Sequence, residues 1–354
     1  MRLLRLYISL LAVFVSITIS AQIPTYYSNI DFSQTDDALK NQISTLITTT
    51  HTNQLPYTSA STDTWDIIKT ADLNPLNNQN VLLVYGYDDL DNTYKTDRTR
   101  SKDLNCTSNS CIGLWNREHV FAKSLANPSL DTSYPSAGTD VHNLHASDSQ
   151  MNSSRNNRVY ASGSGNATIT AQGYFYPGDE WKGDIARIIM YMYVRYPNQC
   201  LANDVAFSSN STHSDMPDVF LQWNKDDPVS DYEIQRNNEI AHAQGNRNPF
   251  IDNPYIATLI WGGTPAVDSW QVLALPKLYN QESVSIYPTI ATNYLNIVSN
   301  KTNNYQYTIV DYSGRVLLNA TVANKVDISR LNTGSYILYL KSNQSESTFR
   351  FIKK

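Results

Sequence analysis

Cysteine, excess positive charge and long apolar runs are all scarce in this chain of 354 residues. The cysteines are Cys106, Cys111 and Cys200 alone. Three widely spread thiols do not supply the ligands of a structural zinc site, which excludes a cysteine-based zinc protein. Cys106 and Cys111 are close enough for a small disulfide loop, although the sequence does not fix the pairing.

Positive charge does not dominate the chain. The net charge is −5 and the isoelectric point is about 5.7, whereas nucleic-acid binders usually present a basic face. This balance does not exclude a local positive groove on an acidic protein. A hydrophobic fraction of 41% with 17% charged residues is typical of a globular chain. The length suits one large domain or two smaller ones.

One apolar run stands out, at the N-terminus. Arg2 and Arg5 precede the mostly apolar Leu6–Ile19, and the small Ala21 follows. This order predicts a signal peptide over residues 1–21, cleaved after Ala21. The run is shorter than the ~20 residues that a membrane span needs, and no later segment is long and apolar enough. We therefore expect a secreted protein without a stable membrane span.

Apolar periodicity divides the remaining chain into two parts. Residues 22–272 contain helical spacing and a few β-type runs, whereas residues 273–354 alternate with a period of two between turn signals. The predicted helices are Asp36–Thr48, Thr64–Ala71, Gly183–Tyr196 and Asp231–Gln244. The predicted strands of the first part are Asn80–Tyr87, Ile112–Phe121 and Asp140–His145. The predicted fold class is α+β: a mainly helical domain followed by a small all-β sandwich.

Three residues combine into a chemical site. Glu118 offers a carboxylate for a hard divalent cation, and the adjacent His119 can accept a proton from water near neutral pH. Asn152, in the first turn of a helix expected to start near Gln150, can close the metal site with its amide oxygen. Strand, loop, strand and helix around one ion predict metal-assisted hydrolysis of a phosphodiester. If Glu118 and His119 stood alone, a structural reading would be favoured, in which Glu118 pairs with Arg117 and His119 is a half-buried structural residue. The presence of all three residues favours the chemical site instead.

Other residues near this site have more than one role open to them. His142 and Asn143 either orient His119 or brace the loop between the two strands. For both residues, a purely structural role is as well supported as a direct one. Guanidinium groups suit phosphate, and Arg155 ranks first because it lies nearest the metal helix. Each candidate could equally form a structural salt bridge. The candidates are Arg155, Arg187 and Arg247, followed by Arg158, Lys182 and Arg236.

Several ordered blocks carry a resemblance that covers roughly Tyr26 to Trp261. They include Asn116–Val120, Asp140–Leu144, Asn152–Asn157, Lys182–Arg187 and Gln244–Asp252. Together they resemble the bacterial endonuclease I family of secreted nucleases, which have the ββα-metal (His-Me finger) motif.

The resemblance implies that His119 is the general base and that Glu118 and Asn152 are the metal ligands. It implies Mg²⁺ as the usual ion, with Ca²⁺ or Mn²⁺ in some members. The implied substrate is DNA and often RNA, cleaved without marked sequence specificity to 5′-phosphate ends. We expect the enzyme to act as a monomer.

The C-terminal module carries a second resemblance. Ile286–Pro288, Asn293–Ile297, Asp311–Arg315, Leu331–Tyr336 and Phe351–Lys354 resemble the sorting domain of type IX secretion substrates. This implies export by the type IX machinery, removal of the module, and release or surface attachment. The alternative is an accessory β-sandwich that binds carbohydrate or protein.

Two other functions remain open at this point. His119, His142 and His145 would form a zinc-type ligand set in a zinc-dependent hydrolase. A non-enzymatic surface adhesin would suit a chain with 24 tyrosines and a β-module, but it leaves Glu118 and Asn152 without a role.

Overall fold

The structure is a computed structural model that describes residues 23–107, 110–272, 284–299, 304–342 and 346–354. The predicted signal peptide, residues 1–21, lies outside these ranges. The described residues form two compact units, 23–272 and 284–354. Each unit has its own hydrophobic core.

The first unit mixes helices with short strands. Within the described residues it contains eight α-helices and nine β-strands. The helices are α1 (Asp36–Thr49), α2 (Thr64–Ala71), α3 (Ser149–Arg155), α4 (Lys182–Arg195), α5 (Asp218–Asp226), α6 (Asp231–Gln244), α7 (Pro249–Asp252) and α8 (Tyr255–Trp261). The strands are β1 (Leu73–Asn74), β2 (Asn77–Leu82), β3 (Thr99–Ser101), β4 (Trp115–His119), β5 (Leu144–Asp148), β6 (Tyr160–Ala161), β7 (Thr168–Ile169), β8 (Phe175–Tyr176) and β9 (Ala206–Phe207).

Helix α4 is the centre of the first core. Every residue from Gly183 to Val194 is buried, on all sides of the helix, as expected for a helix that packs inside a domain. Helices α1, α5 and α7 pack against it. The 3-10 turn Val141–Asn143 also contacts α4, so the core supports the chain segment that leads into β5.

Strands β4 and β5 and helix α3 form one continuous local unit. The two strands pair antiparallel, with Glu118 opposite His145 and His119 opposite Leu144. Helix α3 starts directly after β5, because the Asp148 side chain accepts hydrogen bonds from the backbone N–H groups of Gln150 and Met151. This strand–strand–helix arrangement brings α3 beside the end of β4.

The three predicted strands of this unit are shorter or displaced in the structure. The run Ile112–Phe121 is reduced to β4, because only Trp115–His119 pairs with β5. The run Asn80–Tyr87 leaves β2 after Leu82, and Tyr85 adopts a left-handed backbone conformation with φ of 73°. The segment predicted as a strand from Asp140 begins as a 3-10 turn, because the Asp140 side chain accepts a hydrogen bond from the backbone of His142 and caps that turn. Apolar content alone does not reveal these local caps and turns.

The second unit consists of two sheets with a shared core. One sheet has the order β10–β12–β15 and the other β11–β17–β16–β13–β14. The strands are β10 (Val284–Tyr287), β11 (Ile290–Ala291), β12 (Tyr294–Ser299), β13 (Tyr305–Val310), β14 (Val316–Val322), β15 (Lys325–Asp327), β16 (Gly334–Lys341) and β17 (Glu346–Lys353). Leu295 and Val326 from one sheet and Ile309 and Leu338 from the other are completely buried in the same cluster. The β-rich character predicted for this part is confirmed.

Two further expectations concern cysteines and membrane spans. Cys106 and Cys111 form a disulfide, while Cys200 is a buried free thiol. In the ranges that the structure describes, none of the helices has both the length and the apolar character of a bilayer span.

Candidate active site

A cleft of about 270 Å³ opens where the end of β4 meets α3. It contains all three residues of the predicted site, Glu118, His119 and Asn152. Its other lining residues are Arg117, Ala122, Lys123, Ser124, Ser153, Arg155, Asn156 and Asn157. The fold thus brings the three residues to one cavity, although Asn152 is far from the other two in sequence.

His119 is held by a backbone carbonyl and an aromatic ring. Its Nε2 lies 2.8 Å from the carbonyl oxygen of Gly138, so Nε2 carries the proton and donates it there. The Tyr57 ring stacks on the imidazole with a centroid distance of 5.6 Å. Burial lowers the pKa of His119 to about 4, against the opposing effect of the Gly138 carbonyl, and the Lys123 charge lowers it further. The ring is therefore neutral near pH 7, with Nδ1 as its basic nitrogen.

Glu118 is a buried carboxylate with two protein partners. It is 2% exposed, and its Oε1 accepts a 3.0 Å hydrogen bond from the Tyr85 hydroxyl. Arg155 Nη1 lies 3.2 Å from the same oxygen. Burial raises the pKa of Glu118 to about 7, although Arg155 and Tyr85 both lower it. An additional cation would favour the ionised form of this carboxylate.

Asn152 lies in the middle of α3 and is half-buried. Its Nδ2 donates a 2.7 Å hydrogen bond to Oδ1 of Asn116 in β4. That bond fixes the orientation of the amide and leaves its oxygen as the acceptor for another group. A carboxylate and an amide oxygen are the donors that hard ions such as Mg²⁺, Mn²⁺ and Ca²⁺ take. The donor set therefore fits such an ion, and Glu118 and Asn152 would hold it.

Asn143 fixes the chain immediately after His119. Its Oδ1 accepts from the backbone N–H of Phe121 at 2.7 Å, and its Nδ2 donates to the carbonyl of Phe121. Its own carbonyl accepts from Val120 N. His142 lies apart from the cleft lining, with Nε2 3.3 Å from the Asn246 carbonyl and its ring against Tyr191.

The side chains predicted to bind phosphate already contact other groups of the protein. Arg155 lines the cleft, but its guanidinium donates to the carbonyls of His119 and Val120 besides pairing with Glu118. Arg187 is fully buried against Glu233, and Arg247 pairs with Asp252. Neither lines the cleft, so the structure does not bring them to Glu118 and His119. The other candidates also have protein partners: Arg158 donates to the Ser154 carbonyl, Lys182 pairs with Asp179, and Arg236 pairs with Asp72.

The three histidines of the zinc alternative do not converge. His119 contacts Gly138, His142 contacts Asn246, and His145 Nδ1 lies 3.3 Å from Asp72. Among the residues that the structure describes, no group of three or more His, Cys, Asp or Glu side chains could hold a metal ion. The arrangement therefore offers no zinc-type ligand set.

Comparison with known proteins decides the family. A family model described as Endonuclease I matches residues 35–255. This range includes the cleft and most of the first unit. The chain belongs to the endonuclease I family.

Three relatives with nuclease names agree with this. The chain is 38% identical to an extracellular ribonuclease of Bacillus subtilis (strain 168) over 253 residues, which are 68% of this chain and 80% of the relative. An extracellular ribonuclease of Bacillus amyloliquefaciens is 37% identical over 258 residues, 69% of this chain and 81% of the relative. An Endonuclease-1 of Buchnera aphidicola subsp. Baizongia pistaciae (strain Bp) is 29% identical over 133 residues, 34% of this chain and 49% of the relative.

A second family model, described as a secretion system C-terminal sorting domain, matches residues 285–354. The β-rich second unit is therefore a sorting domain for export, in agreement with the predicted type IX substrate. This endonuclease I family member is a secreted endonuclease. Family membership also removes the adhesin alternative.

Three contributors to the site were not assigned from the sequence. Tyr85 reaches Glu118 from a turn with positive φ, and Asn116 orients Asn152. Gly138 supplies the carbonyl that His119 contacts. Its backbone lies so close to Asp131 that a Cβ at this position would be 2.0 Å from the Asp131 carbonyl oxygen. A glycine shortly before the Asp140–Leu144 block was the available signal for the last of these.

Proposed function

We propose that the first unit hydrolyses phosphodiester bonds in DNA and RNA with His119 as general base and one divalent ion, Mg²⁺ above all, held by Glu118 and Asn152. The observation that carries this proposal is the 2.8 Å contact between His119 Nε2 and Gly138 O. It orients a neutral imidazole whose Nδ1 is basic, next to an oxygen-donor pair in the same cleft. A nuclease that hydrolyses with one metal ion combines a general base with such a metal site.

The proposed reaction assigns a step to each of these residues. His119 Nδ1 takes a proton from a water molecule while the water oxygen bonds to phosphorus. The bond from phosphorus to the 3′ oxygen breaks, and that oxygen takes a proton from a second water molecule. One product then carries a 3′-hydroxyl and the other a 5′-phosphate. A bound divalent ion supplies charge neutralisation at the phosphate and stabilises the leaving oxygen. Arg155 holds Glu118 and the backbone of His119 in place, so the base and the ligand remain adjacent.

The charge of the cleft supports a polyanionic substrate. Among its lining residues Arg117, Lys123 and Arg155 are cationic, and Glu118 is the single acidic side chain. The cleft is thus locally positive on a chain with a net charge of −5. Cations that contact the backbone do not read bases, which agrees with cleavage that has little sequence preference.

The names of two relatives, extracellular ribonucleases, support RNA as a substrate, and the name of the third, an Endonuclease-1, supports cleavage within a nucleic-acid chain. The test is digestion of supercoiled plasmid and single-stranded RNA by the purified protein, with Mg²⁺, Mn²⁺, Ca²⁺ or EDTA. We expect cleavage of both polymers that EDTA abolishes, and fragments that carry 5′-phosphates. Cleavage that continues in EDTA, or fragments with 3′-phosphates, would contradict the proposal.

A further inference from the structure

The cationic side chains that line the cleft differ in how many protein groups they contact. Arg155 pairs with Glu118 and two backbone carbonyls. Arg117 donates to Thr58, Thr64 and the Tyr57 carbonyl, and its guanidinium lies over the Tyr57 and Trp65 rings. Both side chains are therefore held by the protein on several sides.

Lys123 has a much weaker set of partners. Its ammonium donates to the Thr132 hydroxyl at 3.1 Å, and within the described residues it forms no ion pair closer than 4.0 Å. Asp131 is near enough to feel its charge, but this exposed carboxylate accepts hydrogen bonds from the backbone and hydroxyl of Ser133. A neutral hydroxyl orients the ammonium without cancelling its charge.

The backbone of Lys123 is fixed beside the catalytic residues. Its carbonyl accepts from Leu130 N at 3.0 Å and from the Ser129 hydroxyl at 2.8 Å. The chain just before it is held by the contacts of Asn143 with Phe121. The half-buried Lys123 thus lines the same cleft as His119, four residues after it, on a backbone held by hydrogen bonds.

We propose that Lys123 binds a backbone phosphate of the nucleic acid on the His119 side of the cleft. This inference rests on the proposed function, because it assigns a ligand within the same site. The ammonium can supply up to two more hydrogen bonds beyond Thr132, and its charge matches the phosphate. Lys123, rather than Arg187 or Arg247, would then supply the phosphate contact that the sequence led us to expect from arginine.

The test compares Lys123→Gln, which removes the charge, with Lys123→Arg, which keeps it. Lys225→Gln is the control, because Lys225 lies on α5 outside the cleft and pairs with Asp226. Binding to a fluorescent DNA duplex is measured by anisotropy in EDTA over a range of NaCl concentrations. KM is measured for the same proteins with the divalent ion that supports cleavage.

Loss of one phosphate contact lowers the slope of log affinity against log salt by ~0.9 for a duplex. We expect this decrease and a raised KM for Lys123→Gln, with wild-type behaviour for Lys225→Gln and recovery in Lys123→Arg. The affinity advantage of the wild type over Lys123→Gln should then shrink about 3.5-fold between 50 and 200 mM NaCl. An unchanged salt slope and KM in Lys123→Gln, beside an active wild type, would overturn this inference alone. A wild type that neither binds nor cleaves nucleic acid would overturn the proposed function as well.

Discussion

Asn116 holds the amide of Asn152, whose Nδ2 donates a 2.7 Å hydrogen bond to Asn116 Oδ1. The bond joins β4 to α3 and determines which end of the Asn152 amide remains for a cation. Residues that orient a ligand in this way affect metal binding without touching the metal.

Replacement of Asn116 should therefore weaken the metal site. We expect Asn116→Ala to lower the affinity for Mn²⁺, or the activity at limiting metal, by about 10- to 100-fold. Calorimetric titration with Mn²⁺ measures the affinity directly. The exposed Asn198 provides the control variant Asn198→Ala. Equal affinities in wild type and Asn116→Ala would mean that the hydrogen bond does not position the ligand.

Gly138 should be essential for activity, because its backbone position leaves no room for a side chain. An alanine Cβ at this position would lie 2.0 Å from the Asp131 carbonyl oxygen, so the chain must shift and move the carbonyl that orients His119. A displacement of about 1 Å can cost about 10²-fold in rate. We expect Gly138→Ala to lower kcat by this order and to lower the melting temperature.

Gly173→Ala is the matched control for this substitution. A Cβ at Gly173 would meet no other atom within 4 Å, although its φ of 85° makes alanine strained. It should lose some stability but keep kcat. A Gly138→Ala variant with the kcat and melting temperature of the wild type would contradict the assigned role.

The buried His142 should destabilise the first unit as the pH falls. Burial lowers the pKa of His142 to about 3; the Asp140 charge opposes this shift, and Arg236 and His51 add to it. The unfolded ring has a pKa near 6.5. Between these values the unfolded chain binds a proton that the folded chain excludes, so acidification favours unfolding by up to ~1.4 kcal/mol per pH unit.

Denaturant titrations between pH 7 and pH 4 measure this effect. The stability of His142→Gln should decline less steeply than that of the wild type, because one of the groups that protonate on unfolding is removed. Some decline should remain, because other buried histidines continue to contribute. Replacement of the exposed His242 by Gln should leave the decline as it is. Identical pH profiles for wild type and His142→Gln would show that the buried ring is not a source of acid sensitivity.

The helices were the most predictable part of the fold. The spacing in Asp36–Thr48, Thr64–Ala71 and Asp231–Gln244 corresponds closely to α1, α2 and α6, because long amphipathic patterns and their caps are local signals. Strand ends were less predictable. The apolar run through Tyr85 continues past β2, since its later residues pack in the core from a turn.

The candidate site was predictable where the side-chain chemistry and a short sequence block both indicate a role. Glu118, His119 and Asn152 reach one cleft as expected from the sequence. The partners of the arginines were not predictable in this way. Arg187 of α4 meets Glu233 in the first turn of α6 only once the chain has folded, and nothing in the local sequence of Arg187 indicates that contact. Lys123 likewise differs from other lysines only through its place in the cleft.

The most direct test of the central claim separates the base from the metal ligands. Plasmid cleavage and Mn²⁺ binding are measured together for wild type, His119→Ala, Glu118→Gln and Asn152→Ala, with circular dichroism as the check of folding. We expect His119→Ala to bind Mn²⁺ as the wild type does while kcat falls about 10²- to 10⁴-fold. Glu118→Gln and Asn152→Ala should lose both binding and cleavage. Folded Glu118→Gln and Asn152→Ala variants that keep metal-dependent cleavage, or a His119→Ala variant with wild-type kcat, would contradict the account.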